Sequence, residues 1–249
     1  MARGVARPGE QAPALASAFL VAHWSDLILL TFAVPDAVVR SLIPPQVEPD
    51  RWHGQTHVSL VALRMRELRL LGWRVPGFTA HPQVNFRTYI RYRGEPGVWF
   101  IRELVPSRLV AAVARWVYGE PFRAIPLAGT AIEVDDAVRA TYRLGERERG
   151  GRLAVTGSRT ARLPSPDSAE HFFTARHFAC RARPGGGLVR FRVAHAPWAV
   201  RTVREVDYAV DWKRVYGADW HFLGAQTPVS TIFAVGSDVA VYRPERLAG

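Results

Sequence analysis

The chain is almost without lysine. Lys213 stands alone among 33 Lys and Arg residues, so 33 minus 1 leaves 32 arginines. Chemistry that begins with an amine side chain, such as Schiff-base formation, therefore has one candidate only. Cysteine is equally scarce, and the lone Cys180 excludes an internal disulfide framework and fits a reducing compartment. Long apolar runs are missing too. The longest, Leu27 to Val34, is interrupted by Thr31 and stops at Pro35, which is too short to span a bilayer. Near the N-terminus Arg3 and Arg7 precede an Ala-rich stretch, but Pro8, Glu10 and Pro13 break any compact apolar region of a secretion signal. Residues 1–18 are read as a flexible tail and 19–249 as one domain of a cytoplasmic protein. No G-x-S-x-G, H-E-x-x-H, C-x-x-C, Walker or dinucleotide-binding pattern occurs. His53 and His57 are four apart, but Gly54 between them marks a turn rather than a ligand-aligning helix, so neither a metal nor a cofactor is expected.

What the chain does have is apolar content and arginine. Hydrophobic residues make up 48% of 249 residues, enough for a sizeable core. The formal net charge is +11. Such a charge suits nucleic acid or an anionic surface when it is clustered. Here the arginines run from Arg3 to Arg246 without a basic run, so the favoured reading is a scattered, solvated surface charge, and neither nucleic acid nor membrane is expected as a partner. Association into homo-oligomers is left open.

The pattern reads as mainly β. His23 to Val34 is a buried strand, and Pro35 and Asp36 open a short helix through Ile43 that Pro44 stops. Thr56 to Met65 is a strand, and Gly72 to Pro82 a loop. An alternating strand follows, with Val84, Phe86, Thr88, Ile90 and Tyr92 on one face and Asn85, Arg87, Tyr89, Arg91 and Arg93 on the other. Gly94, Pro96 and Gly97 turn it into a hairpin partner, Val98 to Leu104. Ser107 caps a helix over 108–118 that ends at Gly119 and Pro121. Two strands between Ala131 and Leu163 flank a turn at Glu146 to Gly151, and Asp167 with Glu170 forms a capping box for a helix through about Cys180. Pro184 to Gly187 turns into the strand Leu188 to His195, and several short strands fill Val203 to Tyr242. Two or three short helices among about ten strands imply an antiparallel, barrel-like domain of the mainly β (α+β) class.

Candidate functional residues are few. The face carrying Asn85, Arg87, Tyr89 and Arg91 points to solvent in an open sheet or into the lumen of a closed barrel; periodicity favours solvent. In a lumen, arginine would meet a carboxylate or phosphate and tyrosine a carbonyl. His195 ends a strand before Pro197 and Trp198, where it serves either as a structural histidine or as a proton carrier. Asp135 and Asp136 are adjacent and point to opposite faces, which argues against a shared substrate.

Four ordered blocks resemble the YqjF-like family: HWSDLILLTFAV at 23–34 with the Pro44-Pro45 turn and following strand through 65, NFRTYI at 85–90 with EPGVWF at 95–100, ARWVYGEPFRAIPL at 114–127, and HAPW at 195–198. That family has no settled activity. It commonly carries Glu where this chain has Gln83 and an aspartate near Arg102-Glu103-Leu104, and its Glu-Arg-Tyr reads Ala175-Arg176-His177 here. A deeper resemblance is to acetoacetate decarboxylase, whose Gly-Arg-Glu-x-x-Gly-x-Pro-Lys-Lys is similar to residues 114–123. Arg115, Gly119 and Pro121 match, but Phe122 and Arg123 stand where the Schiff-base lysine and its cationic neighbour belong, and the enzyme's pocket glutamate corresponds to Gln83.

Phenylalanine offers no nucleophile and arginine stays protonated, so imine-based decarboxylation is not expected. The resemblance implies an acetoacetate decarboxylase-like barrel that binds a small molecule, acidic or carbonyl-bearing, at Gln83, Asn85, Arg87, Tyr89, Phe122, Arg123 and Trp198. Any non-imine catalysis would draw on Arg87, Tyr89, Arg123 or His195. A filled, non-catalytic lumen and a basic nucleic-acid-associated protein are the alternatives.

Overall fold

The computed structural model describes residues 18–74, 80–109, 111–112, 122–183 and 186–247. In chain order its elements are strand β1 (Leu20–Val34), helix α1 (Asp36–Leu42), β2 (Glu48–Pro49), β3 (Thr56–Leu70), β4 (Trp73–Arg74), β5 (Ala80–Tyr92), β6 (Glu95–Val105), β7 (Phe122–Ala124), β8 (Leu127–Val134), β9 (Ala137–Leu144), β10 (Gly151–Arg162), α2 (Ala169–Thr174), β11 (Phe178–Ala182), β12 (Leu188–His195), β13 (Val200–Val210), α3 (Trp212–Tyr216), β14 (Ser230–Val241) and β15 (Glu245–Leu247). The protein is mainly β.

Hydrogen bonding follows the order β15-β12-β11-β6-β5-β3-β1-β14-β13-β10-β9-β8, and β12 pairs in addition with β14. Val193, Ala194 and His195 lie opposite Val241, Ala240 and Val239 in that extra pairing. Seven strands, β12, β11, β6, β5, β3, β1 and β14, are thereby joined in a circuit. The strands β13, β10, β9 and β8 extend from β14 as an outer wing.

The strands β1, β3 and β5 are buried on both faces, and alternation sorts their side chains into two cores. Ile28, Leu30, Phe32, Val58, Leu60, Ala62, Val84, Phe86 and Ile90 pack with Tyr142, Leu153 and Trp212 of the wing and α3. Leu27, Leu29, Val61, Leu63, Met65 and Tyr89 pack on the opposite side with Phe173, Ala179 and Trp198. This two-sidedness is why 27–34 reads as a nearly unbroken apolar run.

Extra residues in the ladder change which side chains face which core. In β1 the register against β3 slips between Ser25 and Ile28, and Asp26 takes up φ 56°. Aspartate tolerates this left-handed conformation better than most residues. In β3 a second slip lies opposite Val21–His23, where Glu67 has φ 53°. In β6 the partners of Phe86 and Arg87 are Arg102 and Phe100, leaving Ile101 as the extra residue. Each bulge moves the inward face by one position.

Several sequence expectations change at their turns. The β5–β6 hairpin turns on two residues, Arg93 and Gly94, both at positive φ, while Pro96 and Gly97 lie inside β6. Gly97 is there for space, since a Cβ would come within 2.4 Å of the Phe178 ring. Ala80 to Pro82 belongs to β5 rather than a loop, and Trp73–Arg74 is a short strand. The stretch 131–163 contains three strands, because Asp135-Asp136 is itself a tight turn with Asp135 at φ 53°. The expected helix to Cys180 stops at Thr174: its N-cap is Ser168, whose Oγ accepts from His171 N at 3.1 Å, and 178–182 is a strand. Residues 203–242 form two long strands around α3 and a 3₁₀ segment rather than several short strands. The expected helix over 108–118, with its end at Gly119 and Pro121, lies for the most part outside the described residues.

Gly236 lies opposite Ser25 at φ 98°, and a Cβ there would sit 1.9 Å from the Trp24 carbonyl oxygen. Gly236→Ala is expected to destabilise the fold by more than about 1 kcal/mol, the handedness penalty adding to the clash. Urea denaturation monitored by tryptophan fluorescence should show a lowered midpoint.

Candidate functional site

A cavity of about 140 Å³ has a lining residue on every strand of the circuit: Trp24 on β1, Met65 on β3, Asn85 on β5, Glu103 on β6, Ala179 on β11, Phe191 on β12 and Val241 on β14, with Phe122 added by β7. The bulges explain the membership. Trp24 and Leu20 face inward before the slip at Asp26, whereas Leu27 and Leu29 do so after it. Val98 and Phe100 face inward before Ile101, and Glu103 and Val105 after it. The walls are chiefly apolar and aromatic, and the polar groups gather along β5 and β6. Gln83 Nε2 donates to Glu103 Oε1 at 3.0 Å, and Asn85 stands directly opposite Glu103 in the ladder. Asn85 is 4% exposed, and its Oδ1 has no hydrogen-bond partner; Trp24 Nε1 is likewise buried and unpaired.

The face of β5 that periodicity favoured for solvent is therefore internal. Asn85, Arg87 and Tyr89 are buried, and exposure begins at Arg91, near the end of the strand. Closure of the sheet path, which a two-residue period cannot reveal, decides the side. Arg87 and Tyr89 continue that face beyond the cavity and are held by protein groups. Arg87 Nη2 donates to the Phe173 carbonyl at 2.9 Å. The Tyr89 hydroxyl shares a 2.6 Å hydrogen bond with Ser59 Oγ, which shares another of 2.7 Å with Thr31 Oγ1. Arg176 Nη1 donates to Asp50 Oδ2 at 2.5 Å with both side chains buried, and Arg91 Nε donates to Asp50 Oδ1 at 2.8 Å. Arg176 Nε also donates to the Phe172 carbonyl, so these contacts fasten α2 across the circuit, with Phe173 against the Tyr89 ring at 5.1 Å.

The remaining candidates lie elsewhere. Phe122 lines the cavity, but Arg123, its neighbour on β7, is exposed and donates to the Val215 carbonyl at 3.3 Å. Adjacent strand residues point to opposite faces, so the two could not share one wall. Trp198 is buried, stacked on His195 at 4.4 Å and bonded through Nε1 to Ser237 Oγ, and it belongs to the core rather than the described cavity lining. His195 Nδ1 and Nε2 face the carbonyls of Ala196 and Arg176 at 2.9 and 3.3 Å, and a neutral imidazole can donate to only one of them. Burial pushes its pKa down, with His177 and Arg87 adding to the shift. Lys213 is exposed on α3 and absent from the described cavity lining. Asp136 is exposed at its turn and paired with Arg204. His57 is buried against Phe173 within β3, while His53 is exposed at a turn, so the four-residue spacing aligns nothing.

Sequence reasoning missed Trp24, His81 and Glu103. The signal for Trp24 was present in the Trp24-Ser25-Asp26-Leu27 block, which folds as the bulge that aims the indole. Glu103 had been noted only as a departure from a family pattern, yet it is the carboxylate of the described cavity lining.

Comparison with known proteins gives a family and a fold. The family DUF2071, described as an uncharacterized conserved protein, matches residues 21–238. The uncharacterized protein YqjF of Bacillus subtilis is 32% identical over 100 residues, a match spanning 40% of this chain and 41% of that relative's length. Among solved structures, the enduracididine biosynthesis enzyme MppR complexed with pyruvate superposes with a TM-score of 0.65 at 15% identity, covering 92% of this chain and 90% of the other. An acetoacetate decarboxylase-like enzyme from Sphingomonas wittichii RW1 gives 0.64 at 12% identity, covering 98% and 100%. Acetoacetate decarboxylase from Legionella pneumophila gives 0.59 at 11% identity, covering 93% and 88%. At these identities the likeness establishes the acetoacetate decarboxylase-like fold and nothing more.

Two measurements follow from the buried polar groups. Asp50→Ala strands Arg176 without its partner and is expected to destabilise the protein by about 3–5 kcal/mol, with part of the loss restored by Asp50→Ala combined with Arg176→Met. Chemical denaturation of the three proteins checks this. His57 and His195 are both pushed below the ordinary 6.5 by burial. The unfolded chain thus binds protons that the folded one resists, so their contribution is fully present above pH 6.5 and is lost as pH falls through the lowered folded values. Denaturation midpoints should drop from pH 7.5 to 5.5 by less in a His57→Gln, His195→Gln variant than in the native protein.

Proposed function

The chain belongs to the uncharacterized conserved family DUF2071, and we propose that it is a small-molecule-binding protein whose seven-strand circuit closes as an acetoacetate decarboxylase-like β-barrel around a lumenal site. The observation that carries this reading is a cavity of about 140 Å³ to which every strand of the circuit contributes a side chain. That volume suits a ligand about the size of one ring. The walls supply apolar contact, and Asn85, Gln83 and Glu103 supply the few convergent polar groups that small-molecule sites use for orientation.

Imine chemistry has no support in this cavity. Phe122 lies in the lining at the position where the resemblance to acetoacetate decarboxylase puts a lysine, and Lys213 is on the surface. Acid–base work at the site would fall to Glu103 or His81 rather than to Arg87, Tyr89, Arg123 or His195, since these two are the titratable side chains of the described lining. A lumen packed shut fits the volume less well. A nucleic-acid role draws on the charge of +11, but many arginines are engaged by neighbouring carboxylates, among them Arg51 with Asp36, Arg204 with Asp136, Arg159 with Glu133 and Arg190 with Glu95. A cytoplasmic location forms part of the same proposal and rests on the single cysteine. Among the described residues no helix is long and apolar enough to cross a membrane.

Thermal denaturation against a panel of ring-sized compounds tests the binding reading. A ligand at 100 times its Kd should add about 2.7 kcal/mol of stability. Ala179→Leu, which fills the cavity, should abolish the shift; the absence of any saturable shift in the native protein would overturn the proposal. Borohydride treatment with pyruvate or acetoacetate should leave the protein mass unchanged, and a stable adduct on Lys213 would contradict the non-imine reading.

A further inference from the structure

We propose that the protein forms a two-fold symmetric dimer in which the edge strand β8 of one copy pairs antiparallel with β8 of a second copy. The starting point is an open row of backbone groups. β8 ends the sheet path, and β9 is its one neighbour there. Val134 lies opposite Ala137 across a two-residue turn, and Gly145 N donates to the Pro126 carbonyl at 2.8 Å. Antiparallel ladders alternate, so the even-numbered residues from 126 to 134 spend their backbone groups on β9. The N–H and C=O groups of Gly129, Ala131 and Glu133 point the other way, and no described residue bonds to them. The devices that usually close such an edge are missing. Leu127–Val134 contains no lysine or proline and pairs without a bulge, and Glu133, its only charge, is engaged by Arg159 at 2.7 Å. Ile132 and Val134 are 55% and 50% exposed on its outer face.

A second copy fits this edge better than an unrelated strand, because the edge complements itself under a two-fold rotation. Pairing centred on Ala131 sets that residue against its own counterpart and Gly129 against the partner's Glu133. Three such pairs, exchanging two bonds each, make about six hydrogen bonds. The same register brings Thr130 beside the partner's Ile132 and Ala128 beside the partner's Val134. These are the close positions of the ladder, where β-branched side chains gain most contact. Charge runs along the strand in the matching sense. At one end the turn carries Asp135, exposed and without an ion pair among the described residues, beside Asp136, which Arg204 engages. At the other end a depression of about 320 Å³ is lined by Pro126, Leu127, Arg143 and Arg147, and Arg143, Arg147, Arg149 and Arg152 in that stretch outnumber Glu146 and Glu148. Reversal of the second strand sets the partner's Asp135 opposite Leu127, at this basic depression, and the contact occurs twice. A foreign strand would satisfy the backbone but not both ends.

Sedimentation equilibrium of the full chain over roughly 1–500 μM tests this, a range suited to an interface at the small end of the scale. A monomer–dimer equilibrium is expected, weakened as salt screens the charged ends. Ala131→Pro removes an N–H that β9 does not use, and Ile132→Lys puts a charge at an already exposed position. Both variants should remain folded by circular dichroism while the dimer dissociates at least about tenfold more readily. Disulfide trapping reads the register. Thr130→Cys and Ile132→Cys proteins, mixed under a mild oxidant, should cross-link with each other far more than either does with itself. A protein that stays monomeric throughout the range, a dimer unaffected by both substitutions, or equal cross-linking of each cysteine variant with itself overturns the inference.

Discussion

Everything inside the circuit follows from the burial of β1, β3 and β5 on both faces. A strand with a wet side can leave its polar residues to water, but these strands have no wet side along most of their length. A polar group on the inward face of β5 therefore either finds a partner within the protein or goes without one, as Asn85 Oδ1 and Arg87 Nε do. Arg87 takes a main-chain carbonyl of α2, Tyr89 joins the hydroxyls of Ser59 and Thr31, and Arg176 and Arg91 converge on Asp50. These bonds consume the residues that look most like ligand-binding groups when the strand is read alone. They leave the cavity to the stretch of β5 before them, where Gln83 and Asn85 remain.

Three bulges decide what that cavity contains. Asp26, Glu67 and Ile101 each add one residue to a ladder, and each reverses the inward face of its strand. Trp24, Leu68 and Glu103 reach the cavity through those reversals. The left-handed Asp26 has a second use, since its carbonyl accepts the Tyr142 hydroxyl at 2.7 Å and so ties the outer wing to the circuit. A local backbone irregularity thus couples packing of the wing to the aim of a cavity side chain.

The fold is shared with proteins whose printed descriptions include enzymes. Solved neighbours at 11–15% identity superpose over most of the chain, yet the register of β7 puts the Phe122 ring in the cavity and turns Arg123 outward. A scaffold of this kind supports more than one chemistry because the ladder depends on backbone bonds and the site on side chains.

The sequence alone determined the strand-rich class, the turn at 94, the strand 188–195 and the short helix after Pro35, because each is written in local chemistry: a two-residue period, a glycine that permits positive φ, a proline that stops a helix. It also brought Gln83, Asn85 and Phe122 forward as site residues, and the structure gathers those three at one cavity. It misjudged the inward face of β5 and set Arg87, Tyr89, Arg123, His195 and Trp198 beside them, because which face is inside depends on where a sheet path closes and which donors lie across it. Trp24 stood in a recognisable sequence block, but that it and Glu103 face the cavity was legible only after the bulges were known. A single extra residue changes neither composition nor overall pattern, but it rotates every side chain beyond it, and that rotation exists only once the neighbouring strand is in place.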